Sequence, residues 1–141
     1  MENELYEDSY KNPKHFSFGK NWQNFLKNLT DKRIQEAEKS LIDFLGGKEN
    51  ITGKTFVDIG CGSGLFSLAA YRLGAKNILS IDIDDSSVAC AKYLHEKNGK
   101  PEHWQIKTGS ALDQSFINSL GVFDIVYSYF IRFNDKLKRN R

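Results

Sequence analysis

The sequence predicts an α/β domain built on a doubly wound parallel sheet of about four strands. Three observations predict it: β-rich and helical runs alternate after residue 50, each helical run stops at a glycine, and three glycines at every second position directly follow the first β-rich run, in VDIGCGSGLF (57–66). Strands that alternate with helices require right-handed crossovers, so the strands lie parallel.

The first third of the chain is predicted to be a loose N-terminus, 1–15, followed by an N-terminal helical lid, 16–50. Residues 16–29 are rich in aromatic side chains. The helix that follows has an apolar stripe at three- and four-residue steps, formed by Ile34, Ala37, Leu41, Phe44 and Leu45. We expect Thr30 or Asp31 to cap its start and Gly46 and Gly47 to end it.

Residues 51–131 are predicted to form a partial core domain, and residues 132–141 a basic tail. Strands are expected at 55–60, 77–83, 104–109 and 123–131. Helices are expected at 65–74, 85–99 and 113–121. Asp85 or Ser86 is the expected cap of the second of these helices.

Composition excludes several classes of protein and site. The chain has 141 residues, 40% of them hydrophobic and 27% charged, which fits one globular domain. A net charge of +2 is too small to predict nucleic-acid or membrane binding. Cys61, Cys90 and three scattered histidines predict neither a disulfide framework nor a metal site. The polar N-terminus and the lack of an apolar run near about 20 residues favour a cytoplasmic protein.

The three glycines indicate a cofactor pocket at the turn between the first strand and its helix. Such a turn lies at the switch point of a doubly wound sheet, where ligands bind close to the main chain. Leu65 stands where a dinucleotide G-x-G-x-x-G pattern requires its third glycine. Asp82, at the end of the next strand, can accept hydrogen bonds from both hydroxyls of a ribose. NAD and other adenosine-bearing cofactors both satisfy this feature.

Four segments resemble, in order and spacing, the motifs of class I S-adenosylmethionine-dependent methyltransferases. They are VDIGCGSGLF, LSIDID (79–84), KTGSALD (107–113) and FDIVYS (123–128). Residues 16–45 also resemble the lid of many small-molecule methyltransferases, so the resemblance covers about residues 16–128. It implies a Rossmann-like fold and S-adenosylmethionine as the cofactor.

The resemblance also implies the cofactor-binding residues. The turn contributes Gly60, Cys61 and Gly62. Asp82 would hold the ribose, and Ile83 would lie against the adenine. The base edge would be met by Ser110, where the family often has aspartate, and by the backbone of Ala111. Asp58 is expected to orient the glycine loop through the backbone amides of that loop. The sequence identifies no catalytic residue, and Trp22 and Phe18 are candidates to cover the methionine end or the acceptor.

The function expected from these features is methyl transfer to an unassigned, small-molecule acceptor. GAKNILSIDID (74–84) also resembles methyltransferases that act on ribosomal protein lysines, so a protein acceptor stays open. Two alternatives remain: an NAD-dependent oxidoreductase, and a non-catalytic cofactor-binding fragment. The fragment is considered because the family normally continues for about three strands beyond the fourth. An exposed fourth strand would then invite self-association. Activity would be impaired because much of the acceptor site would be missing.

Overall fold

Four parallel strands form the centre of the fold. The computed structural model describes the backbone of residues 16–128 and the side chains from residue 22. The strands are β1 (Thr55–Ile59), β2 (Asn77–Asp82), β3 (Trp104–Thr108) and β4 (Ile125–Ser128), arranged in the order β3-β2-β1-β4. Their register aligns Asp58 with Ser80 of β2 and with Tyr127 of β4. The predicted parallel α/β sheet is therefore confirmed.

Helices precede the sheet and connect its strands. They are α1 (Phe16–Asn28), α2 (Asp31–Leu45), α3 (Leu65–Arg72), α4 (Asp85–Lys97) and α5 (Gln114–Ser119), with a 3-10 turn at Lys48–Asn50. The predicted order of helices and strands is the observed one. The loose N-terminus at 1–15, the last residues of the fourth predicted strand at 129–131 and the basic tail at 132–141 lie outside the described residues.

Side-chain alternation along the strands gives the sheet two different faces. One face carries the larger core, in which Phe56, Ile78 and Trp104 pack with side chains of α2, α3 and α4. The other face is smaller, and there Val57, Leu79 and Ile81 pack against α5 and the residues after it: Phe116, Leu120 and Phe123. The sheet is thus covered on both sides, as a parallel sheet requires.

The helix ends largely follow the sequence signals. Thr30 caps α2, because its hydroxyl accepts a hydrogen bond from the Arg33 amide, and Gly46 ends that helix in the left-handed region. The expected cap of α4 is wrong: Asp84, not Asp85 or Ser86, accepts from the Ser87 amide at 3.1 Å. Asp84 has extended backbone angles and is the last residue before the helix, which is the geometry of an N-cap.

The two N-terminal helices pack against other helices. Ile34, Ala37 and Leu41 of α2 are buried in the larger core. In α1, the Trp22 ring meets the Tyr93 ring of α4 edge-on, with centroids 4.7 Å apart. These contacts account for Trp22 through packing, while the Phe18 side chain lies outside the described part. No helix within residues 16–128 has the length and apolarity to cross a membrane.

Candidate functional site

The carboxyl ends of β1, β2 and β3 meet at one edge of the sheet. The chain leaves β1 toward β2 on one side, while β4 lies on the other side of β1. This is the switch point at which open α/β sheets bind ligands. The loops that follow β1, β2 and β3 contain all the sequence-predicted cofactor residues except Asp58 and Asp82, which lie in the strands.

The glycine loop between β1 and α3 is fixed to the end of β2. The amides of Gly60 and Cys61 both donate to the Ile81 carbonyl, each at 2.8 Å, and the Gly64 amide donates to the Cys61 carbonyl. Gly60 and Gly62 have positive φ angles, of 70° and 56°, which favour glycine. A Cβ atom at either position would meet nothing within 4 Å, so the backbone there is open to a ligand.

The carboxylate of Asp82 lies between the glycine loop and the start of α4. Its Oδ2 accepts from the Gly62 amide and its Oδ1 from the Asp84 amide, both at 2.9 Å. An ionised carboxylate has about four acceptor positions, so one on each oxygen remains for a ligand. Asp82 is therefore oriented by the protein and can still accept from two hydroxyl groups.

Asp58 does not contact the loop amides as expected. Its side chain is almost fully buried, and Oδ2 accepts from the Ser67 hydroxyl of α3 at 2.7 Å. The loop amide of Gly62 donates to Asp82 instead, while alternation along β1 places the Asp58 side chain on the α3 face of the sheet, where it meets Ser67. Burial raises the pKa of Asp58 to about 7, with hydrogen bonds from Ser67 opposing this shift and the nearby Asp82 carboxylate adding to it.

The loop after β3 is joined to the same strand end. The Gly109 amide donates to the Asp82 carbonyl at 3.0 Å, and the Ser110 hydroxyl accepts from the Leu112 amide at 3.1 Å. Ile83 is 68% exposed and Leu112 is 95% exposed. Leu112 was missed from the sequence, although it is the large apolar residue in the segment KTGSALD. Exposed apolar side chains beside a polar edge are typical of a ligand site.

Cys61 contributes its backbone rather than a reactive thiol. Its side chain is buried, and its Sγ donates to the Gly62 carbonyl at 3.7 Å. Burial, followed by the charges of Asp58 and Asp82, raises the pKa of this thiol well above its usual range. A thiol that stays protonated is a poor nucleophile. Within residues 16–128 no group of three metal-ligating side chains comes together.

Comparison with known proteins identifies the family. A sequence model of the ribosomal protein L11 methyltransferase (PrmA) family matches residues 39–139. The chain belongs to this family. It is 44% identical over 57 residues to the ribosomal protein L11 methyltransferase of Histophilus somni strain 2336, over 40% of this chain and 19% of that protein. The Actinobacillus succinogenes protein of the same name is 40% identical over 65 residues, or 46% of this chain and 22% of that protein. These matches span about a fifth of each relative.

Solved structures share the fold. The Trypanosoma brucei PRMT1 enzyme-prozyme complex with AdoHcy is 27% identical, with a TM-score of 0.50 over 71% of this chain and 30% of that one. The Escherichia coli protein yhhF, described as a methyltransferase, has a TM-score of 0.55 at 21% identity, over 64% of this chain and 48% of that one. The class I methyltransferase fold and family expected from the sequence are therefore confirmed.

The same family membership corrects the expected acceptor. The sequence favoured a small molecule, partly because residues 16–45 resemble the lid of small-molecule methyltransferases. That expectation is wrong, because the family and the relatives above carry a name that specifies a ribosomal protein as the acceptor. A lid-like pair of helices and the donor motifs are shared by methyltransferases with different acceptors, so they do not discriminate between them.

Proposed function

We propose that this chain binds S-adenosylmethionine at the ends of β1, β2 and β3 and serves methyl transfer to a ribosomal protein. The observation that carries the proposal is the pairing of Asp82 with the amide of Gly62 beside two glycines that leave the backbone open. Membership of the ribosomal protein L11 methyltransferase family supports both the donor and the class of acceptor.

The residues present fit this donor. Asp82 would accept from the ribose hydroxyls with its two free acceptor positions. The open backbone at Gly60 and Gly62 would admit the methionine portion. Ile83 and Leu112 would lie against the adenine, whose edge would meet Ser110 and the backbone of Ala111. The AdoHcy bound in the Trypanosoma brucei complex is the demethylated form of the same donor.

Methyl transfer requires mainly that the donor and the acceptor be aligned. When bound, S-adenosylmethionine supplies a methyl group that its positively charged sulfur already activates. The chain must hold the donor in one orientation and exclude water while the acceptor approaches in line. Correct alignment alone can contribute about 7–11 kcal/mol to rate enhancement. Asp82 and the glycine loop would provide this orientation, and no general base is assigned.

Calorimetry with S-adenosylmethionine tests donor binding. We expect saturable binding by the full chain, weakened about tenfold or more in Asp82→Ala because hydrogen bonds to a charged acceptor are lost. Asp85→Ala is the matched control, since Asp85 is an exposed acid of the same segment with no role in the site, and it should bind like the wild type. Binding of NAD without binding of S-adenosylmethionine, or an unchanged affinity in Asp82→Ala, would overturn the proposal.

Methyl transfer is tested with donor carrying a labelled methyl group. We expect label in purified ribosomal protein L11 and none when the acceptor is replaced by a small amine such as free lysine. The Asp82→Ala variant should lose transfer in proportion to donor occupancy. Equal labelling of the protein and the small amine would contradict the proposed acceptor while leaving the donor assignment intact.

A further inference from the structure

Four buried polar side chains form one hydrogen-bonded chain beneath the candidate site, which we term the serine relay. The Trp104 Nε1 donates to Ser80 Oγ at 2.9 Å, Ser80 Oγ donates to Ser67 Oγ at 2.5 Å, and Ser67 Oγ donates to Asp58 Oδ2 at 2.7 Å. All four residues are at most 2% exposed. The relay therefore joins β3, β2, α3 and β1 without access to water.

The direction of the serine relay is fixed by its two ends. An indole N–H can only donate, and an ionised carboxylate can only accept. Each serine hydroxyl has a single proton, so both hydroxyls must point toward Asp58 when Asp58 is ionised. Removing a member would leave a buried donor or acceptor without a partner, which is costly inside a protein. The arrangement thus aligns three donors in series toward Asp58 and stabilises its ionised form.

Two members of the serine relay flank the glycine loop. Asp58 precedes Gly60 by two residues, and Ser67 follows Gly64 in the first turn of α3. Ser80 precedes Asp82 by two residues on β2. A change in the hydrogen bond between Asp58 and Ser67 would therefore alter how β1 and α3 hold the loop between them.

We propose that Ser67, Ser80 and Trp104 are positioning residues for the donor site, acting through Asp58, and that donor binding is coupled to loss of a proton from Asp58. This inference rests on the proposed function. The bound donor carries positive charge on its sulfur and on its amino group. Asp82, at which the donor would bind, is near enough to Asp58 to shift its pKa, so the positive charge of a bound donor would favour the ionised form of Asp58.

Among the described residues, those that shift the pKa of Asp58 are Ser67 and Asp82, and neither carries a positive charge. Asp82 faces it from β2, Cys61 from the glycine loop, and Tyr127 lies opposite it in the register of β4. Burial and the Asp82 carboxylate raise the pKa of Asp58 to about 7, against the hydrogen bonds from Ser67. The donor would thus displace the proton from the protonated molecules, which are about half of the total near pH 7, and the proton leaves for solvent: protonated Asp58 plus donor gives ionised Asp58, bound donor and H⁺.

The first test uses Trp104 as a reporter and needs no donor. Trp22 and Trp104 are the two tryptophans of the chain, so Trp22→Phe leaves Trp104 as the single indole. The His95 ring packs edge-on against Trp104 with centroids 5.5 Å apart, so the fluorescence transition assigned to Asp58 is the one that Asp58→Asn removes. We expect such a transition near pH 7, and a profile that Asp58→Asn leaves unchanged would contradict the relay. A flat profile from about pH 5 to pH 9 in Trp22→Phe would contradict the relay as a path that senses Asp58.

The second test is calorimetry with S-adenosylmethionine on the wild-type chain at about pH 7, in two buffers with different heats of ionisation. We expect release of roughly half a proton per donor bound, and an affinity that falls about tenfold per pH unit well below the transition. Asp58→Asn should release no proton and should bind with an affinity independent of pH. Binding without proton release, or an equal release from Asp58→Asn, would overturn the coupling.

Relay variants separate positioning from simple stabilisation. Ser67→Ala should weaken donor binding and abolish the Trp104 transition, because the Ser67 hydroxyl is the link between Ser80 and Asp58. Ser67→Thr keeps the hydroxyl and should restore both. If Ser67→Ala lowers thermal stability but leaves the transition and the donor affinity unchanged, Ser67 is structural only. If the donor binds and the relay variants have no effect, this inference is wrong and the proposed function stands. If the donor does not bind, the proposed function is wrong. The fluorescence profile reports in either case whether Asp58 titrates.

Discussion

Gly62 and Gly64 lie two residues apart in one loop, yet a side chain at each position would meet different surroundings. Both have positive φ angles, of 56° and 83°. A Cβ at Gly62 would point into open space, whereas a Cβ at Gly64 would lie 3.0 Å from both Cα and Cβ of Ala91 in α4. The backbone at Gly62 is therefore open, as the proposed donor site requires, and Gly64 permits the close approach of α3 and α4.

This difference predicts two separable mutant phenotypes. Gly64→Ala should lower the free energy of unfolding by about 2–4 kcal/mol, because left-handed strain is added to overpacking against Ala91. Gly62→Ala should cost only about 1–2 kcal/mol from strain, but should weaken donor binding more strongly than Gly64→Ala does. Urea unfolding and calorimetry on the two variants measure both effects, and the reverse order of effects would contradict the two roles.

The raised pKa of Asp58 predicts that the free energy of unfolding decreases as the pH rises toward neutrality. Its pKa of about 7 in the folded chain lies above the ordinary value of 3.8, so the folded state binds more protons between these values. The stability that protonated Asp58 contributes is complete below about pH 4 and is lost as the pH rises through about 7, by at most about 1.4 kcal/mol per pH unit. The difference in unfolding free energy between the wild type and Asp58→Asn, measured by urea unfolding from pH 4 to pH 8, should follow this curve. A difference that stays constant with pH would exclude it.

At the scale of single elements, the start of α4 gives a matched pair of variants. Asp84 accepts from both the amide and the hydroxyl of Ser87, whereas Asp85 is exposed in the first turn. Asp84→Ala should lower the unfolding free energy by about 1 kcal/mol through loss of the N-cap. Asp85→Ala removes only an interaction with the helix dipole and should cost less than about 0.5 kcal/mol. Equal losses in thermal or urea unfolding would argue against the observed cap.

The order and type of the core elements could be predicted from the sequence because β-rich and helical runs alternate and glycines separate them. The cap of α4 could not be, since Asp84, Asp85, Ser86 and Ser87 form a run of residues that all cap helices well. The choice among them depends on where β2 ends and on the hydrogen bond from the Asp84 amide to Asp82. That information is three-dimensional.

The position of the candidate site could be predicted from the sequence, but the contacts of Asp58 and the acceptor could not. The spacing of the glycines and of Asp82 indicates a pocket for an adenosyl group, because local turn geometry and strand ends determine it. The partner of Asp58 was not predictable, since Ser67 reaches it only through the packing of α3 on β1. The acceptor was predicted wrongly because the sequence motifs at the turn and at Asp82 concern the donor, which methyltransferases with different acceptors have in common.

At the scale of the whole molecule, one contact joins segments that are 69 residues apart. Asp124, before β4, accepts from the amide and hydroxyl of Thr55 at the start of β1, and the Asp124 amide donates to the Thr55 hydroxyl. Hydrogen bonds from Thr55 hold the pKa of Asp124 below its usual range. This contact fixes β4 beside β1 at the end of the sheet opposite the site.

Asp124 should therefore stabilise the fold in a pH-dependent way. Its contribution is present above the ordinary pKa of 3.8 and is lost as the pH falls through the lower pKa of the folded state. We expect Asp124→Ala to lower the thermal midpoint at about pH 7, and the effect to shrink as the pH falls below 3.8 and the wild-type carboxylate takes up its proton. Asp85→Ala provides a control, because Asp85 is exposed in the first turn of α4 and does not cap that helix. An effect of Asp124→Ala that stays the same as the pH falls would contradict a role for the ionised carboxylate.

The last two carbonyls of β2 bear on how such a domain can evolve. The Ile81 carbonyl accepts the amides of Gly60 and Cys61, and the Asp82 carbonyl accepts the amide of Gly109. The loops that follow β1 and β3 are consequently attached to the same two peptide groups. A mutation that shifts this strand end would disturb both sides of the cleft at once. Few single substitutions at this strand end would therefore leave the cleft intact. Substitutions are better tolerated in surface segments that do not touch these carbonyls. The cleft can therefore persist while the sequence of those segments diverges.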